Sequence, residues 1–224
     1  MNMRWTSLIV ALDADNRRDI ERVISALNPC GVKFKIGSIA FTKFGPDFVK
    51  RCIARGSDIF LDLKLYDIPN TMKETAAVIT EMGCWAFTVH AQAGREALCA
   101  VRAEVDLRAR VHKIRKPLIL GVTKLTSSHA SAHAVLTLAD TAAACGLDGV
   151  IASAKEAHAI KKKFGKSLRV VTPGIRSPQD DRQDQKRITT ARAAFAAGAD
   201  YIVVGRPIIA KKNHRDAARD ILST

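Results

Sequence analysis

Eight times along this chain a short run of β-branched or aliphatic residues gives way to a longer amphipathic stretch, and this recurrence limits the fold more than any other feature. The strand-like runs lie at 7–12, 32–36, 58–65, 85–90, 117–122, 148–152, 169–172 and 201–205. Helical patterns follow at 16–27, 46–54, 71–82, 94–110, 135–145, 154–164, 189–197 and 208–222. Four strands are introduced alike, by Gly56-Ser57-Asp58, Gly83-Cys84-Trp85, Gly146-Leu147-Asp148 and Gly198-Ala199-Asp200. A glycine there supplies the left-handed conformation that ends a helix and turns the chain into the next strand. Eight such units in 224 residues, with no Pro/Gly/Ser-rich divider, predict one (β/α)8 TIM barrel over 1–224. A doubly wound sheet is the alternative, but Leu12-Asp13-Ala14-Asp15 stands where its glycine fingerprint would follow the first strand.

Composition narrows the class further. The apolar run from Leu8 to Leu12 is closed by Asp13, too short for a signal-peptide core or a membrane span. Five scattered cysteines without a CxxC pair argue against a disulfide framework or zinc site and fit a reducing cytoplasm. The histidines at 112, 129, 133, 158 and 214 show no metal-ligand spacing with carboxylates. The net charge of +14 suits either a nucleic-acid partner or an anionic substrate. Its longest run, Lys161, Lys162 and Lys163, sits on the polar side of a helix and reads as a solvated face. With 5% aromatic residues and no RNA-binding signature, no nucleic-acid partner is expected.

Two-residue alternation sorts the strand faces. Ile59, Leu61, Leu63 and Leu65 would pack against helices, leaving Phe60, Asp62 and Lys64 toward the barrel axis. Val32, Phe34 and Ile36 oppose Lys33 and Lys35, and Ile9, Ala11 and Asp13 share one face. Charged groups therefore gather at the C-terminal ends of the first three strands. Inward charges are costly unless paired, and this end of a barrel is where active sites form. Asp62, Lys64 and Asp67, with Lys35 and Asp13 from neighbouring strands, make an array of alternating sign; a plain salt-bridge network is its non-catalytic reading. Trp85 and Phe87 read as core, and His90 as a hydrogen-bonded structural histidine at a strand end.

The segment FLDLKLYDIPNT at 60–71 resembles the DxKxxDIPNT signature of orotidine 5′-phosphate decarboxylases. Further pieces agree in order: ALD at 11–13, Phe34-Lys35-Ile36-Gly37, FTKFGP at 41–46 and Thr88-Val89-His90. VTxLTS at 122–127, TPGIR at 172–176, DQxRI at 184–188 and YIVVGRP at 201–207 complete the match, which runs from about residue 8 to 209. The resemblance is to the monofunctional bacterial type. It implies a metal-free and cofactor-free decarboxylase of orotidine 5′-monophosphate acting as a homodimer. It makes Lys64 the proton donor to C6, beside Asp62, in a tetrad of Lys35, Asp62, Lys64 and Asp67. Asp67 and Thr71 would reach the partner's site, and Asp13 and Lys35 would hold the ribose hydroxyls. Thr126 and Ser127 would border the pyrimidine, while Gln185, Gly205 and Arg206 take the phosphate with Arg176 nearby.

The residues also fit this chemistry on physical grounds. A carbanion at C6 lies in the ring plane, beyond the reach of the π system, so a fixed ammonium must both stabilise and protonate it. Gly205-Arg206 follows the last strand, where a barrel binds phosphate through backbone N–H groups and a cation. The long polar stretch 173–188 reads as a lid that a remote phosphate can close. Two features depart from the family pattern. Lys124 fills a position where an apolar residue is expected and is read as pointing away from the substrate, and 128–145 is short for the fifth helical region. The rival readings are a Mg2+-dependent 3-keto-L-gulonate-6-phosphate decarboxylase sharing the DxKxxD core, and a basic nucleic-acid-binding barrel supported by charge alone.

Overall fold

The computed structural model describes residues 4–14, 16–124, 131–176 and 189–224. Its first half runs β1 (Leu8–Ala11), α1 (Arg17–Leu27), β2 (Lys33–Gly37), α2 (Ser38–Ala54), β3 (Ile59–Leu65), α3 (Pro69–Glu81), β4 (Ala86–His90) and α4 (Gly94–Val111). The second half runs β5 (Leu118–Val122), α5 (Ala132–Ala144), β6 (Gly149–Ile151), α6 (Ala154–Phe164), β7 (Arg169–Thr172), α7 (Ala191–Ala196) and β8 (Tyr201–Val204). Two helices, α8 (Arg206–Ile209) and α9 (His214–Ser223), end the chain. All neighbouring strands pair in parallel, and β8 closes on β1 through Leu8↔Ile202 and Val10↔Val204. The expected (β/α)8 barrel is the observed fold.

The four expected glycine turns are present: Gly56, Gly83, Gly146 and Gly198 all have positive φ. At Gly198 space adds to the requirement, because a Cβ would lie 2.8 Å from Lys161 Cγ. That lysine is fixed there by bonds from its Nζ to the carbonyls of Gly165 and Leu168 and by an ion pair with Asp200.

Side chains terminate the helices as their types require. Asn16, Ser131, Thr190 and Asn213 each accept a backbone N–H at the start of α1, α5, α7 and α9, and Ser153 with Glu156 forms a capping box on α6. Two helical readings need correction. The second helix starts at Ser38 rather than 46 and is kinked at Gly45, whose φ is 67°, immediately before Pro46. Residues 38–44 carry apolar Ile39, Ala40, Phe41 and Phe44, but the non-helical backbone at Gly45 breaks the phase between them and the rest of the helix, so periodicity detected only the part beyond the kink. The last helical stretch, 208–222, is divided into α8 and α9 by the turn at 210–213, with Asn213 capping the second piece.

Alternation divides the core in two. Inside the barrel pack Ile9, Ala11, Phe60, Trp85, Ala86, Leu120, Val171 and Val203. Phe34, Ile36, Ile59, Leu61 and Phe87 face outward into the shell shared with the helices. Trp85 and Phe87 are both core, on opposite sides of the barrel wall. Lys33 closes the N-terminal end: its Nζ sits 5.0 Å from the Trp85 ring centroid, 3.0 Å from the Thr6 carbonyl and 3.7 Å from Asp58. Burial lowers its pKa against the opposing pull of Asp58.

Candidate active site

At the opposite end, the C-terminal ends of the strands surround a cleft of about 470 Å³, within the range of small-molecule sites. Its walls carry Asp13, Lys35, Asp62, Lys64, Arg176 and Arg206, each expected there from the sequence, together with Gly205. The register places them side by side. Ala11 pairs with Lys35, Lys35 with Phe60 and Gly37 with Asp62, so the ends of β1, β2 and β3 present their charges at one level.

Asp62 is the hub. Its Oδ2 lies 3.4 Å from Lys35 Nζ and its Oδ1 accepts a 3.0 Å hydrogen bond from Lys64 Nζ. Lys35 also reaches Asp13, at 3.5 Å. Burial would raise the Asp62 pKa, but Lys35 and then Lys64 outweigh it and the net shift is downward. Asp62 is therefore ionised near neutrality, with one lysine Nζ against each of its carboxylate oxygens.

The backbone beneath Lys64 is unusual. Leu61 pairs with Phe87 and Leu65 with Val89, so four steps of β3 match two steps of β4. Within this bulge Lys64 has φ 53°, a left-handed conformation that costs a non-glycine residue about 1–2 kcal/mol. Thr88 holds it: the Lys64 N–H donates to Thr88 Oγ1 at 2.8 Å, and that hydroxyl donates to Asp62 Oδ1 at 3.0 Å. Sequence reasoning missed this residue. Its signal was a polar side chain sharing the inward face of β4 with Ala86.

The remaining expectations divide. Asp67 and Thr71 are exposed and do not line this chain's cleft; the Asp67 carboxylate accepts the N–H of its neighbour Ile68. Lys124, read as pointing away, lines the cleft instead. The end of β5 faces the mouth regardless of side-chain type, so the alternation ending at Val122 and the open loop after it decide the direction. His90 is a turn former: its Nδ1 accepts the Gln92 N–H, and its ring stacks on Tyr66 at 5.1 Å between centroids. Burial, Lys124 and Lys64 lower its pKa and keep the ring neutral. Thr126, Ser127 and Gln185, and most of the expected lid at 173–188, fall outside the described residues.

A closed parallel barrel with paired charges at its C-terminal mouth defines a (β/α)8 barrel enzyme. The sequence model of the orotidine 5′-phosphate decarboxylase / HUMPS family matches residues 6–221. The chain belongs to that family. It is 41% identical over 217 residues to an orotidine 5′-phosphate decarboxylase of Vibrio cholerae serotype O1, covering 92% of each chain. It is 40% identical over 230 residues to the enzyme of that name from Aliivibrio fischeri, covering 98% of this chain and 97% of that one. The crystal structure of orotidine 5′-phosphate decarboxylase from Lactobacillus acidophilus superposes with a TM-score of 0.83 at 33% identity, covering 96% of this chain and 97% of the other. An uncharacterized conserved protein from Geobacillus kaustophilus gives 0.82 at 29% identity, covering 96% and 98%.

Proposed function

We propose that this protein decarboxylates orotidine 5′-monophosphate to UMP and CO2, the last step of de novo pyrimidine nucleotide synthesis. The observation that carries the reading is the Lys35–Asp62–Lys64 chain of charge contacts in the mouth of a family member. As the C6–CO2 bond breaks, its electron pair remains on C6 in the ring plane. The Lys64 ammonium faces that position, stabilises the charge and delivers its proton to C6; solvent then restores the ammonium. No electron-sink cofactor or metal is required in this scheme, because the developing charge is met by a preformed cation.

The other assignments follow from the cleft. Asp13 and Lys35 bind the ribose hydroxyls. Arg176, Gly205 and Arg206 bind the phosphate, with Gln185 closing from the lid, and Thr126 and Ser127 border the pyrimidine. Among the described residues, five lining cations, Lys35, Lys64, Lys124, Arg176 and Arg206, face two carboxylates, Asp13 and Asp62. The excess of three matches about three negative charges on a substrate carrying a phosphate and a carboxylate. Asp67 and Thr71, exposed at the rim, are donated to the partner site of a homodimer and complete the tetrad there. The dispersed free thiols fit a cytoplasmic enzyme.

Ultraviolet-monitored loss of orotidine 5′-monophosphate by protein dialysed against EDTA tests substrate, reaction and metal independence together. Rapid turnover is expected. Absence of turnover by folded dimer, with Mg2+-dependent decarboxylation of a keto-sugar phosphate, would overturn the reading in favour of the related sugar-phosphate enzyme.

A further inference from the structure

The array of charges depends on one neutral group behind it. Thr88 is fully buried, and it is absent from the cleft wall. Its hydroxyl nevertheless makes both bonds open to it at this site, accepting the Lys64 N–H at 2.8 Å and donating to Asp62 Oδ1 at 3.0 Å. The oxygen that receives the Thr88 proton is the same one that receives Lys64 Nζ at 3.0 Å. One hydroxyl thus joins the backbone of Lys64, the carboxylate of Asp62 and, through it, the ammonium of Lys64 in a closed loop.

Two physical consequences follow. The left-handed φ of Lys64 persists only if its surroundings over-determine it, and the bulge has removed the regular ladder bond that would do so. The bond to Thr88 replaces that ladder bond. Moreover, Asp62 is drawn toward two ammonium groups from different strands, and a third donor on Oδ1 fixes the plane of its carboxylate between them.

From this geometry we infer that Thr88 is a positioning residue for proton delivery: it holds Lys64 Nζ aimed at C6 without touching the substrate. The inference rests on the decarboxylase reading above. Thr88→Val keeps the shape and removes both bonds, while Thr88→Ser keeps the hydroxyl. Misplacement of a catalytic group by about 1 Å costs on the order of 100-fold in rate. The expected result is therefore a fall in kcat of ~100-fold for Thr88→Val with KM within about 3-fold of wild type, and recovery to within about 5-fold for Thr88→Ser.

Hydrogen exchange at the Lys64 amide gives a second readout independent of turnover. Protection should be lost in Thr88→Val and kept in Thr88→Ser, with the amides of β1 and β5 unchanged in both. A folded Thr88→Val protein with wild-type kcat, or a Thr88→Ser protein as slow as Thr88→Val, would overturn the assignment. If wild-type protein itself shows no turnover, the decarboxylase reading fails; the exchange measurement then still reports on whether Thr88 holds the Lys64 backbone.

Discussion

Lys35 and Asp62 meet across the β2–β3 seam with Nζ 3.4 Å from Oδ2, leaving Oδ1 for Lys64 on the other side. Both carboxylate oxygens are thus committed to ammonium groups, and under the proposed function Asp62 would act through the lysines it holds. Asp62→Asn should then lower kcat steeply, while the dissociation constant of orotidine 5′-monophosphate stays within about 3-fold of wild type. Stopped-flow turnover with equilibrium binding checks this. Binding that tightens by orders of magnitude would show instead that Asp62 works by straining the substrate carboxylate.

The same contacts make stability depend on pH. The folded pKa of Asp62 is depressed, so its contribution is fully present above the ordinary carboxylate range near ~4 and is lost as pH falls through the lower folded value. At neutral pH Asp62→Asn should cost about 2–3 kcal/mol, below the usual loss for a buried pair because the Lys64 side chain is 39% exposed. Urea unfolding of both proteins between neutral pH and pH 3 should show the gap narrowing at the acid end. A gap that widened there would contradict the assignment.

Much of this arrangement was legible in the sequence, for identifiable reasons. Lys35, Asp62 and Lys64 are charged residues alternating with Ile36, Leu61 and Leu63 on strands that must bury one face, so their direction followed from period alone. The positive-φ turns at Gly83 and Gly198 followed from glycine standing between helix and strand. The bulge in β3 did not, because its two extra residues preserve the in–out parity that alternation reads. The first half of α2 was hidden by its kink at Gly45, and the direction of Lys124 by its place beyond the last paired residue of β5. Pairing across strands, as between Thr88 and Asp62, has no local signature at a separation of 26 residues.

Lys64→Ala should leave a folded protein, because the backbone N–H that bonds Thr88 is retained. Proton delivery worth ~10²–10⁴ and electrostatic stabilisation worth ~10²–10³ would be lost together, giving a fall in turnover of at least ~10⁴-fold. A single-turnover assay with circular dichroism as the control for folding measures it. Residual activity within tenfold of wild type would exclude Lys64 as the proton donor.

Arg206 stands directly after Gly205 at the end of β8, on the cleft wall across the barrel from β3 and β4. A charge-assisted, two-pronged bond to phosphate contributes about 1.5–3 kcal/mol, or ~10–200-fold in kcat/KM. Arg206→Ala should lose that factor on orotidine 5′-monophosphate and nothing on the phosphate-free nucleoside orotidine. Equal losses on both substrates would place Arg206 elsewhere in the mechanism.

Gly37 offers a test of the site that leaves every charged residue in place. It ends β2 opposite Asp62, with φ −92° and ψ −175°, a conformation open to alanine without backbone strain. A Cβ there would lie 3.0 Å from Lys35 Nζ and 3.3 Å from Asp13 Oδ1. The end of the Lys35 side chain is flexible and would yield, so Gly37→Ala should keep its unfolding free energy within about 1 kcal/mol of wild type. Displacing the ammonium by a few tenths of an ångström would loosen both its ion pairs and the contact with the ribose proposed for it, and kcat/KM should fall by roughly tenfold. Chemical unfolding beside steady-state kinetics separates the two effects. A variant with unchanged kcat/KM would mean that the position of Lys35 beside Gly37 is not critical to the reaction.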